Sequence, residues 1–249
     1  MKNPLISIIT VVFNDKKGLL KTIESVINQS YNNYEFIVVD GGSKDGTKEL
    51  LKEFRDIISI GISEPDKGIY DAMNKGIKVA NGEWVIFMNA GDLFFSNQTI
   101  SDVFKNENFE NYQIVYGDTV GVHDSGKIEY IKPLNLKFFW KHIPICHQST
   151  FIKLKIHKEH LYDLKYKVSA VYDFLYARYE ADKMFKYISF PISKYNMNGY
   201  SSHSLLWIWD YIRISLKYSK GKRLKVIFKI GSYSIMRIIA YLKNKKYDI

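Results

Sequence analysis

The chain of 249 residues has one cysteine, Cys146. No intramolecular disulfide can form, and the composition fits a reducing cytosol, with Cys146 read as a small buried thiol rather than a reactive one. Nowhere do eighteen uncharged apolar residues follow one another, so no membrane-spanning helix is predicted. The eight-residue run Leu5 to Val12 follows Lys2 in the manner of an export signal, yet no small-residue cleavage site comes after it. Asn14, Asp15, Lys16 and Lys17 follow at once, and the expectation is a buried strand and no export. Acids are missing between Tyr211 and Tyr247, where eleven lysines and arginines lie; they account for the formal charge of +10 and leave the rest near neutral. Acids are also scarce in "MNAGDLF", Met88 to Phe94, which holds one carboxylate, Asp92, and reads either as a metal site with a single acid or as a turn.

What is present is a regular alternation. With 46% apolar and 15% aromatic residues the chain can bury a large core, which excludes disorder. Leu5 to Phe13 reads as a strand, and Leu19, Leu20, Ile23, Val26 and Ile27 then share one helical face. Phe36 to Val39, Ile57 to Ile62 and Trp84 to Met88 are further strands, separated by helices at Thr47 to Phe54 and around Ile69, Met73, Ile77 and Ala80. This spacing predicts an α/β fold with right-handed crossovers and a mainly parallel sheet, helices on both faces. Such sheets take ligands at the carboxyl ends of their strands. The polar clusters Asn14 and Asp15, Asp40 to Asp45, Glu64 to Lys67 and Asn89 to Asp92 all fall at those ends.

The second half is less periodic. Gln113 to Tyr116 and Met184 to Ile192 read as strands, "VHDSGKIEYI" as a hairpin about Asp124 to Gly126, and Val171 to Tyr179 as a helix. Ile145 to Ile152 is apolar but interrupted by "HQS". Helical stretches at about Ser204 to Tyr218 and Lys222 to Lys243 end the chain. The glycine-rich "GGSKDGT" lacks both the ending of a P-loop and the spacing of a dinucleotide fingerprint, and by itself is a turn before a helix. Asp40, just before it, can accept a hydrogen bond from N3 of a uracil, a donor that cytosine lacks.

The stretches "ISIITVVFN", "TIESVINQSYNNYEFIVVDGGSKDGT" and "EPDKGIYDAMNKGIKVANGEWVIFMNAGD" resemble glycosyltransferase family 2, in the branch that assembles bacterial surface polysaccharides. The resemblance runs from Leu5 to about Asp92 and fades after Gly117. It implies a GT-A fold over residues 1–200, with a nucleotide-binding half at 1–92, an acceptor half at 93–200, and a basic helical tail at 201–249. It also implies a UDP-sugar donor, Mn2+ or Mg2+, and inversion at the anomeric carbon. By position, Val12, Phe13, Asp40, Asp66, Asp71, Asn89 and Ala90 would meet the donor, and Asp92 the metal, with His147 or His203 as a further ligand or acceptor contact. Asp71 has solvation, and His147 a place in the core, as equal or better readings. Met73 stands where many members carry arginine, and core packing is its first reading.

A general base must take the acceptor's proton. The family's acid begins a helix; in "SAVYDFLYAR" its place is taken by Val171 or Tyr172, and Asp173 survives as the candidate, with Arg178 nearby and a simple helix-capping role as the alternative. The expected activity is transfer of a hexose or N-acetylhexosamine to an undecaprenyl-pyrophosphate-linked saccharide in O-antigen or capsule synthesis. The expected location is the cytoplasmic face of the membrane, held at anionic lipid through residues 205–246 or, failing that, capped by them; nucleic acid is not an expected partner. A catalytically silent sugar-nucleotide-binding module and a nucleotidyltransferase are the alternatives.

Overall fold

The computed structural model describes residues 3–105, 108–123, 125–197 and 206–218. Strand β1 (Ile6–Val12) is buried along its whole length, as a strand covered by helices on both faces must be. Helix α1 (Lys16–Ile27) follows, with the Asp15 carboxylate accepting from the amide of Gly18 at 2.9 Å, an N-cap that satisfies one of the helix's free donors. Strand β2 (Tyr34–Asp40), helix α2 (Thr47–Glu53), strand β3 (Ile60–Ser63), helix α3 (Ile69–Val79) and strand β4 (Trp84–Phe87) complete the alternation. Strand β3 starts later than its sequence suggests, because the amides of Ile57 and Ile58 both bond to the carbonyl of Phe54, each at 2.9 Å, and prolong the end of α2 as a turn.

These four strands lie parallel in the order β3-β2-β1-β4. Beyond β4 the sheet changes character. Strand β5 (Leu93–Phe94), helix α4 (Thr99–Phe104), strands β6 (Ile114–Val122), β7 (Ile128–Ile131) and β8 (Thr150–Lys153), helices α5 (Leu154–Glu159) and α6 (Ala170–Glu180) and strand β9 (Phe185–Asn196) follow in the chain. In space the order continues β4-β8-β6-β9-β5, with β8 antiparallel to both neighbours, β9 parallel to β6, and β7 forming a hairpin with β6.

Side chains alternate across the sheet into two cores. Ile9, Val11, Ile37, Val39, Val85 and Phe87 face α3, α5 and α6, while Ile8, Val12, Phe36, Val38, Trp84 and Ile86 face α1 and α4. Helix α3 lies so near β1 that a Cβ on Gly76 would stand 2.6 Å from the Ile9 side chain. Met73 is 1% exposed and belongs to that core. Helix α7 (Leu206–Tyr218) docks on α6: Tyr211 stacks on Tyr172 at 4.3 Å, the Tyr172 hydroxyl bonds to Ser215 and donates to the carbonyl of Phe139, and Ile214 is buried. This part of the C-terminal stretch therefore caps the body, with Trp209 left 66% exposed. The basic residues after Tyr218 lie outside the described residues.

His157, on α5, is 0% exposed and lies between Phe174 (ring centroids 4.3 Å), Tyr162 (4.8 Å) and Phe87 (5.7 Å). Burial pushes its pKa down to about 4. Below the ordinary histidine value the unfolded chain binds a proton that the folded one refuses, so this group costs stability as pH falls from about 6.5 towards 4, up to roughly 3 kcal/mol. Urea unfolding should show His157→Phe gaining about 2 kcal/mol on the wild type between pH 7 and 4.5; parallel pH profiles would contradict this.

Candidate donor and metal site

The ends of the parallel strands form one row, since Val12 pairs with Asp40 and Asp40 with Ser63. The amide of Gly41 donates to the carbonyl of Val12 at 2.9 Å and that of Glu64 to the carbonyl of Asp40 at 3.0 Å, which carries the row past the strands. Asp40 is 0% exposed. Its carboxylate accepts from the Ser43 amide at 3.0 Å and the Ser63 hydroxyl at 2.7 Å, and so shapes the loop after β2. Asn14 holds φ +51°, and it ties this loop to β1 by accepting from the Lys44 amide (2.9 Å) and donating from its own amide to the Ser43 hydroxyl (2.7 Å).

Gly41 is where three groups meet. A Cβ there would lie 2.4 Å from Asp66 Oδ2 and 3.3 Å from the Phe13 ring, so any larger residue would push the Asp66 side chain aside. Phe13 is 64% exposed, an aromatic face open beside Asp66. Asp66 and Asp71 both hold the start of α3, accepting from the amides of Gly68 (2.7 Å) and Lys67 (3.0 Å) respectively.

After β4 the chain folds into a tight turn. The Asp92 amide donates to the Asn89 carbonyl at 2.9 Å, and the Asn89 amide donates back to Asp92 Oδ2 at 3.1 Å. Gly91 takes φ +92°, the left-handed conformation that glycine adopts without strain. The turn hangs on two neighbours: the Ala90 amide bonds to the Val11 carbonyl at 3.1 Å, and the buried Thr22 hydroxyl of α1 accepts from Gly91 at 3.0 Å and donates to the Asp92 carbonyl at 2.9 Å. Asp92 is 7% exposed, and burial pushes its pKa up to about 7, against the hydrogen bond from the Asn89 amide and the nearby Gln148 side chain, which favour the anion. The amide oxygen of Asn89 is buried without a partner.

A buried carboxylate and an unpartnered amide oxygen in one turn are hard oxygen donors that fit Mg2+ or Mn2+. Among the described residues no group of three His, Cys, Asp or Glu side chains forms to cage an ion, so other ligands would have to come with the substrate. His147 sits in a short 3-10 turn (His147–Ser149); burial pulls its pKa down to about 4, and its Nε2 has no partner. His203 lies outside the described residues.

Asp173 stands in the first turn of α6 and is 8% exposed. Its Oδ1 accepts from Lys217 Nζ at 2.9 Å and from the Tyr218 hydroxyl at 3.1 Å, both on α7. The start of α6 abuts the start of α3, where the Tyr70 hydroxyl lies near the amides of Ala170 and Val171. Val171 and Tyr172 are core side chains, 6% and 1% exposed. Arg178 is buried against Phe174, its Nε and Nη1 unpartnered. Sequence reasoning missed Thr22, which reads as one more polar residue of an amphipathic helix, and Gln148, whose motif "HQS" drew attention to its histidine alone.

Parallel strands with polar ends, a carboxylate turn after the fourth strand and an antiparallel extension together define a GT-A fold. Two solved structures share it. One is the Staphylococcus aureus TarS fragment 1–349 in complex with UDP-GlcNAc (TM-score 0.69, 17% identity, 84% of this chain). The other is the mannosyltransferase PcManGT of Pyrobaculum calidifontis in complex with GDP-Man and Mn2+ (TM-score 0.68, 12% identity, 94% of this chain and 70% of that one). At these identities they show the fold alone, and this chain spans 64% of the TarS fragment. Among curated proteins, a PGL/p-HBAD biosynthesis glycosyltransferase of Mycobacterium bovis is 27% identical over 234 residues, covering 91% of this chain and 90% of its own. An uncharacterized glycosyltransferase of Methanocaldococcus jannaschii is 26% identical over 282 residues, covering 100% and 97%. The model of glycosyl transferase family 2 matches residues 7–166. The chain belongs to glycosyl transferase family 2.

Thr22→Val keeps the shape of the side chain but removes the bonds that hold the Asn89–Asp92 turn. The buried groups left unpaired should cost about 1–3 kcal/mol, read as a lower denaturation midpoint; an unchanged midpoint would mean the turn does not depend on α1.

Proposed function

We propose that the protein is an inverting glycosyltransferase that moves a hexose or N-acetylhexosamine from a UDP-sugar to a lipid-linked saccharide, an undecaprenyl-pyrophosphate carrier in O-antigen or capsule assembly. The observation that carries this is the Asn89–Asp92 turn, which sets a buried carboxylate beside an unpartnered amide oxygen at the strand-end rim. The TarS complexes with UDP and UDP-GlcNAc, on the same fold, support the choice of uridine nucleotide.

In this reading the base lies on the exposed Phe13 ring over Gly41. Asp40 beneath holds the loop, and meets the uracil N3 only if the Ser63 hydroxyl gives way. Asp66, Asp71 and Ala90 border the diphosphate and sugar. Asp92 and Asn89 are the residues that would hold Mn2+ or Mg2+, which offsets charge on the departing diphosphate. Asp173 takes the proton of the acceptor hydroxyl as that oxygen attacks the anomeric carbon from the face opposite the diphosphate, which inverts the centre. Lys217 and Tyr218 both bond to its Oδ1, and Oδ2 is the oxygen assigned to the proton. Lys217 also begins the densest part of the basic stretch, so the segment that would lie on anionic lipid, at ~1 kcal/mol per basic residue, is the one that holds the base. The setting is the inner face of the membrane.

A silent nucleotide-binding module is the second reading, favoured by the ion pair that already occupies Asp173. A screen of UDP-sugars with membrane-extracted lipid acceptor, with Mn2+ and with chelator, separates the two. The expected result is UDP release and a glycosylated lipid in Mn2+ and none in chelator. UDP binding with no transfer under any condition would establish the silent module, and pyrophosphate release from UTP or CTP a nucleotidyltransferase. Asp173→Asn should lower kcat by at least about a hundredfold while leaving UDP affinity unchanged; full turnover in that variant would remove the assignment.

A further inference from the structure

A cavity of about 470 Å3 lies between α7 and the loop that leads into α6, lined by Lys165, Lys167, Trp209, Asp210 and Arg213. Three of these five are cations, and Trp209 adds an indole that is 66% exposed. The loop sets its lysines by burying what stands between them: Tyr166 is 3% exposed, so Lys165 and Lys167 on either side of it are left at the surface. A tight turn fixes the approach, the Lys165 amide donating to Asp163 Oδ1 at 3.1 Å and the Tyr166 amide to the Asp163 carbonyl at 3.1 Å. Lys165 is itself tethered, its Nζ 2.5 Å from Asp163 Oδ2 and 4.8 Å from the centre of the Tyr166 ring. Lys167 and Arg213, both exposed, are the cations open to a ligand. The one acid of the lining, Asp210, is 7% exposed, and its Oδ2 accepts from the Val168 amide at 3.5 Å, which turns the carboxylate to the loop backbone.

Both walls of the cavity run to Asp173. On α7, Trp209, Arg213 and Lys217 stand four residues apart and share one side of the helix, with a rise of about 6 Å from each to the next. Lys217 is the residue whose Nζ bonds to Asp173 at 2.9 Å. On the other wall, the chain passes from Lys167 through the N-cap Ser169 into the first turn of α6, which carries Asp173. The Tyr211–Tyr172 stack and the bond between the Tyr172 and Ser215 hydroxyls fix α7 on α6, so cavity and carboxylate keep their spacing. The single helical turn between Arg213 and Lys217 is close to the span of one sugar ring.

We propose that this cavity binds the diphosphate of a prenyl-linked acceptor, Arg213 and Lys167 taking the phosphate oxygens and Trp209 the first isoprene units, so that the sugar on the diphosphate is presented to Asp173. A guanidinium fork matches phosphate oxygens in pairs, and a lysine adds a point charge. An inorganic anion would use the cations alone. The exposed indole at their edge offers an apolar face that only a lipid-linked diphosphate fills. The inference rests on the proposed lipid-linked acceptor and on Asp173 as the base that serves it.

The test titrates farnesyl pyrophosphate, below its micellar concentration, into the full chain by calorimetry, with UDP at saturation to keep the probe out of the donor site. Wild type is compared with Lys167→Gln, Arg213→Gln and Trp209→Ala, all at exposed positions. Wild type should bind farnesyl pyrophosphate more tightly than inorganic pyrophosphate. Lys167→Gln and Arg213→Gln should each weaken it about tenfold, and Trp209→Ala should remove the preference for the prenyl form. UDP affinity should hold in all three, a split that general loosening of the fold would not give. No binding by the wild type, or equal binding by Arg213→Gln and wild type, overturns the proposal. So does a loss confined to co-sedimentation with phosphatidylglycerol vesicles while farnesyl pyrophosphate is held as in the wild type, which makes the cations a bilayer contact. Acceptor kinetics keep this inference separate from the reading beneath it. Variants that lose farnesyl pyrophosphate, in a protein whose wild type glycosylates no lipid acceptor, leave the diphosphate site standing and remove the transferase reading. Transfer by the wild type with an unchanged acceptor KM in Lys167→Gln and Arg213→Gln does the reverse.

Discussion

Between Phe87 and Leu93 the chain leaves the parallel half of the sheet and enters the antiparallel half, and at that crossing it encloses a carboxylate. Burying an acid is costly unless it is hydrogen-bonded or paired with a cation. Much of the surrounding structure answers that demand. Thr22 of α1 holds the turn from below, Val11 of β1 holds Ala90, and the Asn89 amide donates to the carboxylate. What these contacts leave is a carboxylate whose burial still raises its pKa to about 7, with an unpartnered amide oxygen next to it, an arrangement that a cation would complete.

The two halves of the sheet contribute unlike things to this site. The parallel half brings the loop shaped by Asp40, the exposed Phe13 face and the close approach at Gly41 at the strand ends. The antiparallel half brings the Cys146–Ser149 turn on its frame of buried hydroxyls. In the proposed transfer, helices α6 and α7 would supply a third element, the Asp173 carboxylate clasped by Lys217 and Tyr218. The proposed transfer requires a donor nucleotide lying on the first, with Asp92 and Asn89 as the residues that would hold a metal ion, and an acceptor facing the third.

The parallel half was legible in the sequence because its rules are local. A run rich in β-branched residues such as Ile6 to Val12, with only Ser7 and Thr10 polar, marks a strand covered on both faces, and the polar residues at its end mark the rim. Met73 could be assigned to the core by helical spacing alone. The pairing beyond β4 was not legible, since β8, β6 and β9 come together across long loops that no periodicity encodes. The surroundings of Asp92 were hidden for the same reason: Gln148 is a neighbour only after β9 has paired with β5 and β6. The burial of Asp40 and the ion pair at Asp173 are likewise tertiary facts; each was visible as an acid, and neither could be seen to have its partners.

The central claim is that one protein carboxylate suffices for the metal because the donor's diphosphate brings the remaining oxygens. It is tested most directly by titrating Mn2+ into the protein by calorimetry, first alone and then with UDP at saturation. Weak binding alone and binding at least about a hundredfold tighter with UDP are the expected results, since a single acid and an amide oxygen make a poor cage without further ligands. Tight Mn2+ binding without nucleotide, or the same weak binding with and without UDP, would contradict it.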